Sequence, residues 1–124
     1  MTYSFSSDLP LFMQVAKNLE DAIFTGLYRE DEQIPSTTEI SAEGHINPAT
    51  VLKGMNILVS KGWIEKRRGL GMFVAKGAIE SIRKERRESF YDTFITPMKK
   101  EAEKLNLSNE EIVSMIMEEK NNEA

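Results

Sequence analysis

The sequence predicts a mainly α-helical protein with one small β-hairpin: an N-terminal winged helix-turn-helix followed by a C-terminal α-helical region. Three observations predict this class. Two helix-start patterns lie a helix-turn-helix spacing apart, the hydrophobic period then changes from about 3.6 to about 2 residues, and a charge-rich helical pattern follows. We expect the winged helix-turn-helix to cover residues 1–77 and the helical region to cover residues 78–124.

The first helix is predicted over residues 11–25, where apolar residues recur at steps of three and four. Pro10 suits its first turn, and Gly26 suits the position just past its end. Residues 27–34 form an irregular and acidic stretch that Pro35 closes. We therefore expect an irregular connection to the second helix.

The second and third helices each begin with a capping pattern. Ser36 can accept a hydrogen bond from the amide three residues on, while Glu39 reaches back, so a short helix should follow and end near Gly44. Asn47 and Pro48 begin the third helix, because asparagine is among the best N-caps and proline loses no hydrogen bond at the first helical position. The short link between these helices is typical of a helix-turn-helix.

The hairpin is predicted directly after Gly62, which ends the third helix. Residues 63–67 predict one strand, residues 68–71 a turn and residues 72–75 a second strand. A helix, a helix-turn-helix and then a hairpin is the order of elements in a winged helix.

The C-terminal region is predicted to be helical over residues 78–105, with Pro97 kinking or splitting the helix. A second capping box at residues 108–111 opens a final short helix. The apolar stripe of the C-terminal region, with Phe90, Tyr91, Phe94 and Ile95, would leave a large patch exposed on a monomer, so we expect a homodimer. The alternative is that this stripe folds back on the winged helix. The residues predicted to form the dimer are Phe90, Tyr91, Phe94, Ile95, Met98, Ile112, Met115 and Ile116.

The composition excludes several classes of function. The chain has no cysteine, which rules out disulfides, thiolate catalysis and Cys-ligated zinc and fits a reducing, cytoplasmic compartment. One histidine and no phosphate-cradling glycine loop leave little from which to build an active site, so we expect no enzyme, cofactor or metal. No stretch approaches the roughly 20 apolar residues of a membrane span, so we expect no membrane partner.

The charge is unevenly distributed along the chain. The formal net charge is −4, yet residues 28–45 are acidic whereas residues 47–76 are basic. Because binding to nucleic acid depends on where the charge lies, the basic stretch is the candidate surface for DNA.

Residues from about 10 to 75, a little over half of the chain, resemble the DNA-binding domain of GntR-type regulators. The short helical tail is similar to the YtrA-like branch of that family, whose members carry a small C-terminal dimerisation region. The resemblance rests on Pro10-Leu11-Phe12 with Gln14, Ile23-Phe24-Thr25-Gly26, Ile34-Pro35-Ser36, Ile46-Asn47-Pro48-Ala49-Thr50-Val51, Leu58-Val59-Ser60-Lys61-Gly62-Trp63-Ile64 and Arg67-Arg68-Gly69-Leu70-Gly71-Met72-Phe73-Val74.

The resemblance implies that a homodimer binds double-stranded DNA at a palindromic operator. The third helix would enter the major groove, where Thr50 and Lys53 touch backbone or base edges and Ala49 meets a thymine methyl group. The free amides at its start would attract phosphate, and the second helix would set the position of the protein on the DNA. The hairpin, called the wing in this fold, would enter the minor groove. The implied contact residues are Ser36, Thr37, Thr38, Asn47, Pro48, Ala49, Thr50, Lys53, Arg67, Arg68 and Gly69.

Two departures from the family pattern keep a second hypothesis open. Thr38 stands where the family usually has an arginine that helps hold phosphate, and Glu30, Asp31 and Glu32 stand where it usually has Pro-Gly. The alternative function is therefore a winged-helix module for protein–protein interaction that has lost DNA binding.

Some of the candidate residues also have a purely structural interpretation. Ser36 and Asn47 would cap helices in any protein, and the basic residues 66–68 could keep a hairpin edge from pairing. Trp63 and Phe73 are expected in the core rather than against bases. The sequence leaves open whether a small-molecule effector binds between two subunits.

Overall fold

A computed structural model of the chain describes residues 8–119. Its element order confirms the predicted fold class, a mainly helical chain with one antiparallel two-stranded hairpin. The elements are α1 (Leu11–Phe24), α2 (Thr37–Gly44), α3 (Pro48–Ser60), β1 (Ile64–Arg67), β2 (Gly71–Val74), α4 (Ala78–Phe90), a π-helical turn (Tyr91–Ile95), α5 (Thr96–Lys104) and α6 (Asn109–Met117).

The predicted caps begin α2 and α3. The Ser36 hydroxyl accepts from the Glu39 amide at 3.1 Å, and the Glu39 carboxylate accepts from the Ser36 amide at 3.2 Å. Asn47 Oδ1 accepts from the Ala49 amide at 2.8 Å. Between the two helices, His45 ends α2 in the left-handed conformation, with φ of 53°. Local hydrogen bonds of this kind explain why the helix starts could be predicted from sequence.

The close packing of α1 against α3 requires a glycine. A Cβ added at Gly54 would lie 2.6 Å from the Phe12 carbonyl oxygen and 3.0 Å from the Val15 side chain. The absence of a side chain therefore lets the two backbones approach. Fully buried side chains fill the remaining space between these helices, among them Val15, Leu19, Met55 and Leu58.

The acidic connection is more ordered than we predicted. The Ile34 amide donates to the Met72 carbonyl at 2.9 Å, and the Val74 amide donates to the Glu32 carbonyl at 2.9 Å. Residues 31–34 therefore pair with β2 through backbone hydrogen bonds and one isolated antiparallel bridge, between Gln33 and Phe73. The sequence does not reveal this pairing, because the segment is too short to show a period of 2 and its partner lies about 40 residues further along the chain.

The first half of α4 belongs to the core of the winged helix. Ala78 and Ile82 are buried in the same cluster as the helix-turn-helix side chains, and Trp63, itself buried, donates from its indole nitrogen to the Ser81 hydroxyl at 2.9 Å. The chain forms two compact units that divide between Glu85 and Arg86. We call residues 8–85 the winged unit and residues 86–119 the tail unit. The division thus falls inside α4 rather than at residue 77, because these buried residues anchor the start of α4.

The interruption at Pro97 takes the form of a π-helical turn. The Thr96 amide donates to the carbonyl of Tyr91, five residues back. Proline has no amide to donate, and its ring would collide with the carbonyl four residues earlier in a regular α-helix. The wider turn just before Pro97 accommodates both effects.

Among the described residues, no helix is both long enough and apolar enough to cross a membrane.

Replacing Gly54 with alanine tests the close approach of α1 and α3. We expect Gly54→Ala to lower the free energy of unfolding by about 1–3 kcal/mol, because the added methyl group overpacks a well-filled contact. This loss should appear even though alanine exceeds glycine by about 1 kcal/mol in helix propensity. Urea denaturation measures the change.

The matched control is Asn56→Ala, at an exposed position of the same helix. We expect it to change the free energy of unfolding by no more than about 0.5 kcal/mol. A Gly54→Ala variant more stable than the wild type would show that α1 and α3 are not in this close contact.

Candidate nucleic-acid interface

The start of α3 presents short side chains to solvent. Asn47, Pro48 and Ala49 are exposed and Thr50 is half-buried. The Ala49 amide is bound by the Asn47 side chain at 2.8 Å, and the Thr50 amide donates to the Asn47 carbonyl at 3.0 Å. The expectation that free amides here attract phosphate is therefore wrong for these two groups. Any contact with DNA from this turn would come mainly from side chains.

Lys53 lies one turn further along α3 and is held against α1. Its ammonium nitrogen lies 4.0 Å from the centroid of the Phe12 ring. A cation–π contact at an exposed position contributes about 0.5–1 kcal/mol, which is small beside a charge-assisted bond to phosphate. The ring thus orients the Lys53 side chain without preventing it from binding an anion.

The start of α2 offers one exposed hydroxyl group outside the capping box. Ser36 is engaged in the capping box, and the Thr37 hydroxyl lies 3.4 Å from the Met55 sulfur. Thr38 is exposed. Of the three residues predicted here, Thr38 is therefore the best placed to meet a phosphate oxygen.

The turn between β1 and β2 is braced by a residue that the sequence analysis missed. The Gln33 side-chain amide donates to the Leu70 carbonyl at 2.7 Å. Gly69 has φ of 76° and Gly71 has φ of 115°, and a Cβ added at Gly71 would lie 2.7 Å from the Gln33 amide nitrogen. The paired glycines predicted a turn, but nothing in the sequence indicates that Gln33 reaches it. Arg68, at the start of this turn, is exposed.

Arg67 is engaged by acidic side chains. Its guanidinium lies 2.7 Å from the Asp31 carboxylate and 3.3 Å from the Glu65 carboxylate, and 4.4 Å from the centroid of the Phe73 ring. The hydrogen bond to Asp31 is the main cause that raises the pKa of Arg67. Phe73 is half-buried beneath this arginine rather than fully within the core. A contact between Arg67 and DNA would have to compete with two carboxylates.

The Asp31 carboxylate compensates the positive charges of Arg67 and Lys76 at the base of the wing. The φ of Asp31 is 67°, a left-handed conformation that aspartate tolerates better than most residues. Its carboxylate also lies 3.9 Å from the Lys76 ammonium. The acidic and basic stretches of the sequence are thus folded against each other, and part of the positive charge expected for DNA is neutralised internally.

A groove of about 450 Å³ separates α2 and α3 from the hairpin. Thr37, Thr38 and Lys66 line it together with Asn56, an exposed residue of α3. Apolar side chains complete the lining, including Leu52, Met55 and Met72. Lys66 and Asn56 were not among the predicted site residues; the alternation of side chains along β1 is the pattern that could have identified Lys66.

The residues predicted to form a dimer differ in their exposure. Ile95 and Met98 are half-buried, and Ile112 is buried within the tail unit. Ile112 therefore adds little exposed apolar surface to the single chain, and its assignment to the dimer surface stays a prediction. The others remain exposed: Phe90, Tyr91, Phe94, Met115 and Ile116, joined by Val113 and Met117.

The described residues contain no cluster of three or more histidine, cysteine, aspartate or glutamate side chains able to hold a metal ion. The candidate site is therefore a surface of hydroxyl, amide and cationic groups on α2, α3 and the hairpin. Such groups bind phosphate oxygens and the edges of bases.

Comparison with known proteins identifies relatives of both the winged unit and the whole chain. The family model "Bacterial regulatory proteins, gntR family" matches residues 11–74. The HTH-type transcriptional regulator YhcF of Bacillus subtilis is 28% identical over 122 residues, which cover 94% of each chain. The HTH-type transcriptional repressor YtrA of the same organism is 28% identical over 72 residues, which cover 58% of this chain and 55% of YtrA.

Solved structures with a similar fold also include transcription regulators. A regulator assigned to the GntR family from Bacteroides thetaiotaomicron superposes with a TM-score of 0.70 and 32% identity, covering 86% of this chain and 93% of that one. The AraR DBD, solved in complex with operator ORE1, superposes with a TM-score of 0.53 and 28% identity, covering 60% of this chain and 94% of that one.

Replacing Gln33 with alanine tests the brace of the wing turn. We expect Gln33→Ala to lower the ¹⁵N order parameters of Gly69 and Leu70 from about 0.85 towards about 0.6, because the turn loses its only side-chain hydrogen bond among the described residues. The free energy of unfolding should fall by no more than about 1.5 kcal/mol, as for one hydrogen bond. NMR relaxation measures the order parameters.

The matched control is Glu32→Gln, which leaves the Gln33 side chain in place. The ¹⁵N order parameters of Gly69 and Leu70 in Glu32→Gln should equal those of the wild type. Unchanged values in Gln33→Ala would mean that the glycines alone hold the turn.

Proposed function

The chain belongs to the GntR family of bacterial regulatory proteins and is a DNA-binding transcription regulator; from this we propose that it is a homodimeric repressor of the YtrA-like branch. It would act in the cytoplasm on a palindromic operator. Its relatives are transcription regulators rather than enzymes.

One observation carries the proposal: the exposed start of α3 and the exposed turn of the hairpin lie on the same unit that matches the family. Asn47, Pro48 and Ala49 are exposed on α3, and Arg68 is exposed at the wing. A helix-turn-helix presents the start of its second helix to base edges in the major groove. The relative solved with an operator covers this unit.

Within this proposal, each group has a chemical role. Thr50 and Lys53 would bind backbone or base edges, and Ala49 would contact a thymine methyl group. Thr38 would donate a hydrogen bond to phosphate, without the charge that an arginine supplies. Arg68 beside Gly69 would enter the minor groove, where an arginine senses groove width more than sequence.

The exposed apolar side chains of the tail unit support dimerisation. The rings of Phe90 and Phe94 are in tilted contact, with centroids 5.3 Å apart, and both residues are more than half exposed. Met115 and Ile116 are similarly exposed on α6. Burying such side chains contributes about 1.5–3 kcal/mol each. A two-fold pair would bury them twice over and present two winged units to two half-sites.

A small-molecule effector would need more than the tail unit supplies by itself. A groove of about 500 Å³ lies between Tyr91, Lys99 and Leu107. It is open to solvent rather than enclosed, whereas most ligand pockets bury the greater part of their ligand. An effector bound here would require a second wall, which the partner subunit of the proposed dimer could provide.

One observation favours the second candidate function, a protein-interaction module without DNA binding. Asp31 and Glu65 neutralise Arg67, and Thr38 stands at the position where the family usually has arginine. Both features lower the positive charge that a DNA surface needs. Recovery of a stable protein partner together with no DNA binding at low salt would favour this candidate.

The proposed function is tested by fluorescence anisotropy with the promoter DNA upstream of the protein's own gene. We expect binding at least about a thousandfold tighter than to scrambled DNA, with an affinity that falls steeply as salt rises. Thr50→Ala should weaken promoter binding by about 1–3 kcal/mol, whereas Ser60→Ala, at the far end of α3, should not. Equal affinity for both DNAs would contradict an operator-specific regulator.

The dimer is tested by replacing Phe94 with aspartate. We expect the wild type to elute with twice the chain mass in size-exclusion chromatography with light scattering. Phe94→Asp should raise the dimer dissociation constant at least about a hundredfold, since two symmetric copies of a buried apolar side chain are lost. Leu70→Asp is the matched control: Leu70 is 64% exposed and Phe94 60% exposed, but Leu70 lies in the wing. A monomeric wild type, or equal effects of the two variants, would contradict a dimer through the tail unit.

A further inference from the structure

The two faces of β1 carry cations with different surroundings. Side chains alternate along a strand, so Ile64 and Lys66 lie on one face and Glu65 and Arg67 on the other. The burial agrees, because Ile64 is in the core and the cross-strand partner of Lys66, Met72, packs against that core. Lys66 therefore lies on the face that meets α2 and α3, and Arg67 lies on the opposite face.

Arg67 is tied to the acidic segment on its own face. Its contacts with Asp31 at 2.7 Å and Glu65 at 3.3 Å, and its stacking on Phe73, would all have to be given up or weakened to bind phosphate. Asp31 also neutralises Lys76 at 3.9 Å. Two of the cations in and beside the hairpin thus already have carboxylate partners.

Lys66 differs from Arg67 both in its ion-pair partners and in its position on the strand. Within residues 8–119 it makes no ion pair, and it is exposed. It lines the groove of about 450 Å³ together with Thr37, Thr38 and Asn56. The groove thus offers an ammonium group, exposed polar side chains and an open space between α3 and the wing.

We propose that Lys66, rather than Arg67, is the residue of β1 that binds a DNA phosphate, in the groove between α2, α3 and the hairpin. Arg67 is a positioning residue: it locks the acidic segment to the hairpin and so holds the wing in place. This inference rests on the proposed function, because it assigns a contact within the DNA complex. If α3 lies in the major groove and the hairpin enters the neighbouring minor groove, the DNA backbone between the two would pass over this groove.

The test compares the salt dependence of DNA binding for single charge removals. Each phosphate contact contributes about 0.9 to the slope of log K against log salt concentration. We expect Lys66→Gln to lower this slope by about that amount and to leave the melting temperature unchanged. Arg67→Gln should leave the slope within error and lower the melting temperature. Lys66→Arg should retain the wild-type slope.

The control is Lys17→Gln, because Lys17 is exposed on the side of α1 turned away from the buried Val15 and Leu19. Its slope should match the wild type. An unchanged slope in Lys66→Gln, or a slope lowered by about 0.9 in Arg67→Gln, would overturn the assignment. In either case a wild type that still binds the promoter specifically leaves the proposed function standing.

A second variant tests whether the Asp31–Arg67 pair holds the acidic segment in place or whether Asp31 only neutralises an Arg67 that binds DNA. If Asp31 merely shields a DNA-binding Arg67, Asp31→Asn should steepen the slope by about 0.9. On our assignment the slope stays the same and the melting temperature falls, since Arg67 remains on the face away from the groove. A steeper slope would overturn the assignment. A wild type that binds no DNA even at low salt would overturn both this inference and the proposed function.

Discussion

The pairing of residues 31–34 with β2 is the constraint on which the winged unit depends. It joins the hairpin to the helix-turn-helix, because the chain runs from Ile34 through one residue into the Ser36 cap of α2. The same segment supplies Gln33 to the wing turn and Asp31 to Arg67. An isolated two-stranded hairpin is only marginally stable, so this pairing and the burial of Ile64 and Val74 together hold the hairpin on the core. The geometry of the candidate interface therefore rests on this segment, which also supplies Gln33 and Ile34 to the lining of the groove.

The internal pairing of charge explains how an acidic chain can carry a surface for DNA. The formal net charge is −4, but Asp31 and Glu65 compensate cations at the base of the wing. These pairs are exposed, so each contributes no more than about 1 kcal/mol to stability. Their larger effect is to select which cations remain available, namely those of the groove and the wing turn. Where the charges lie, and not their sum, governs attraction to phosphate.

The features that could be predicted from sequence are those that local interactions determine. Ser36 and Asn47 cap their helices through atoms two or three residues away, and Gly69 allows a turn within its own hairpin. The features that could not be predicted depend on residues distant in sequence. Gln33 meets Leu70 37 positions away, and Arg67 meets Asp31 36 positions away. An apolar pattern likewise shows which side of a helix is buried, but not whether its own unit or a second copy buries it.

The placement of DNA against α3, the start of α2 and the hairpin turn is tested most directly by an NMR titration. Labelled protein would be titrated with promoter duplex at low salt and again with scrambled duplex. We predict that promoter DNA strongly shifts the amide resonances of Thr38, Thr50, Lys53 and Gly69, whereas resonances at the exposed end of α6 near Met117 shift little. Shifts confined to the tail unit, or none with either duplex, would contradict it.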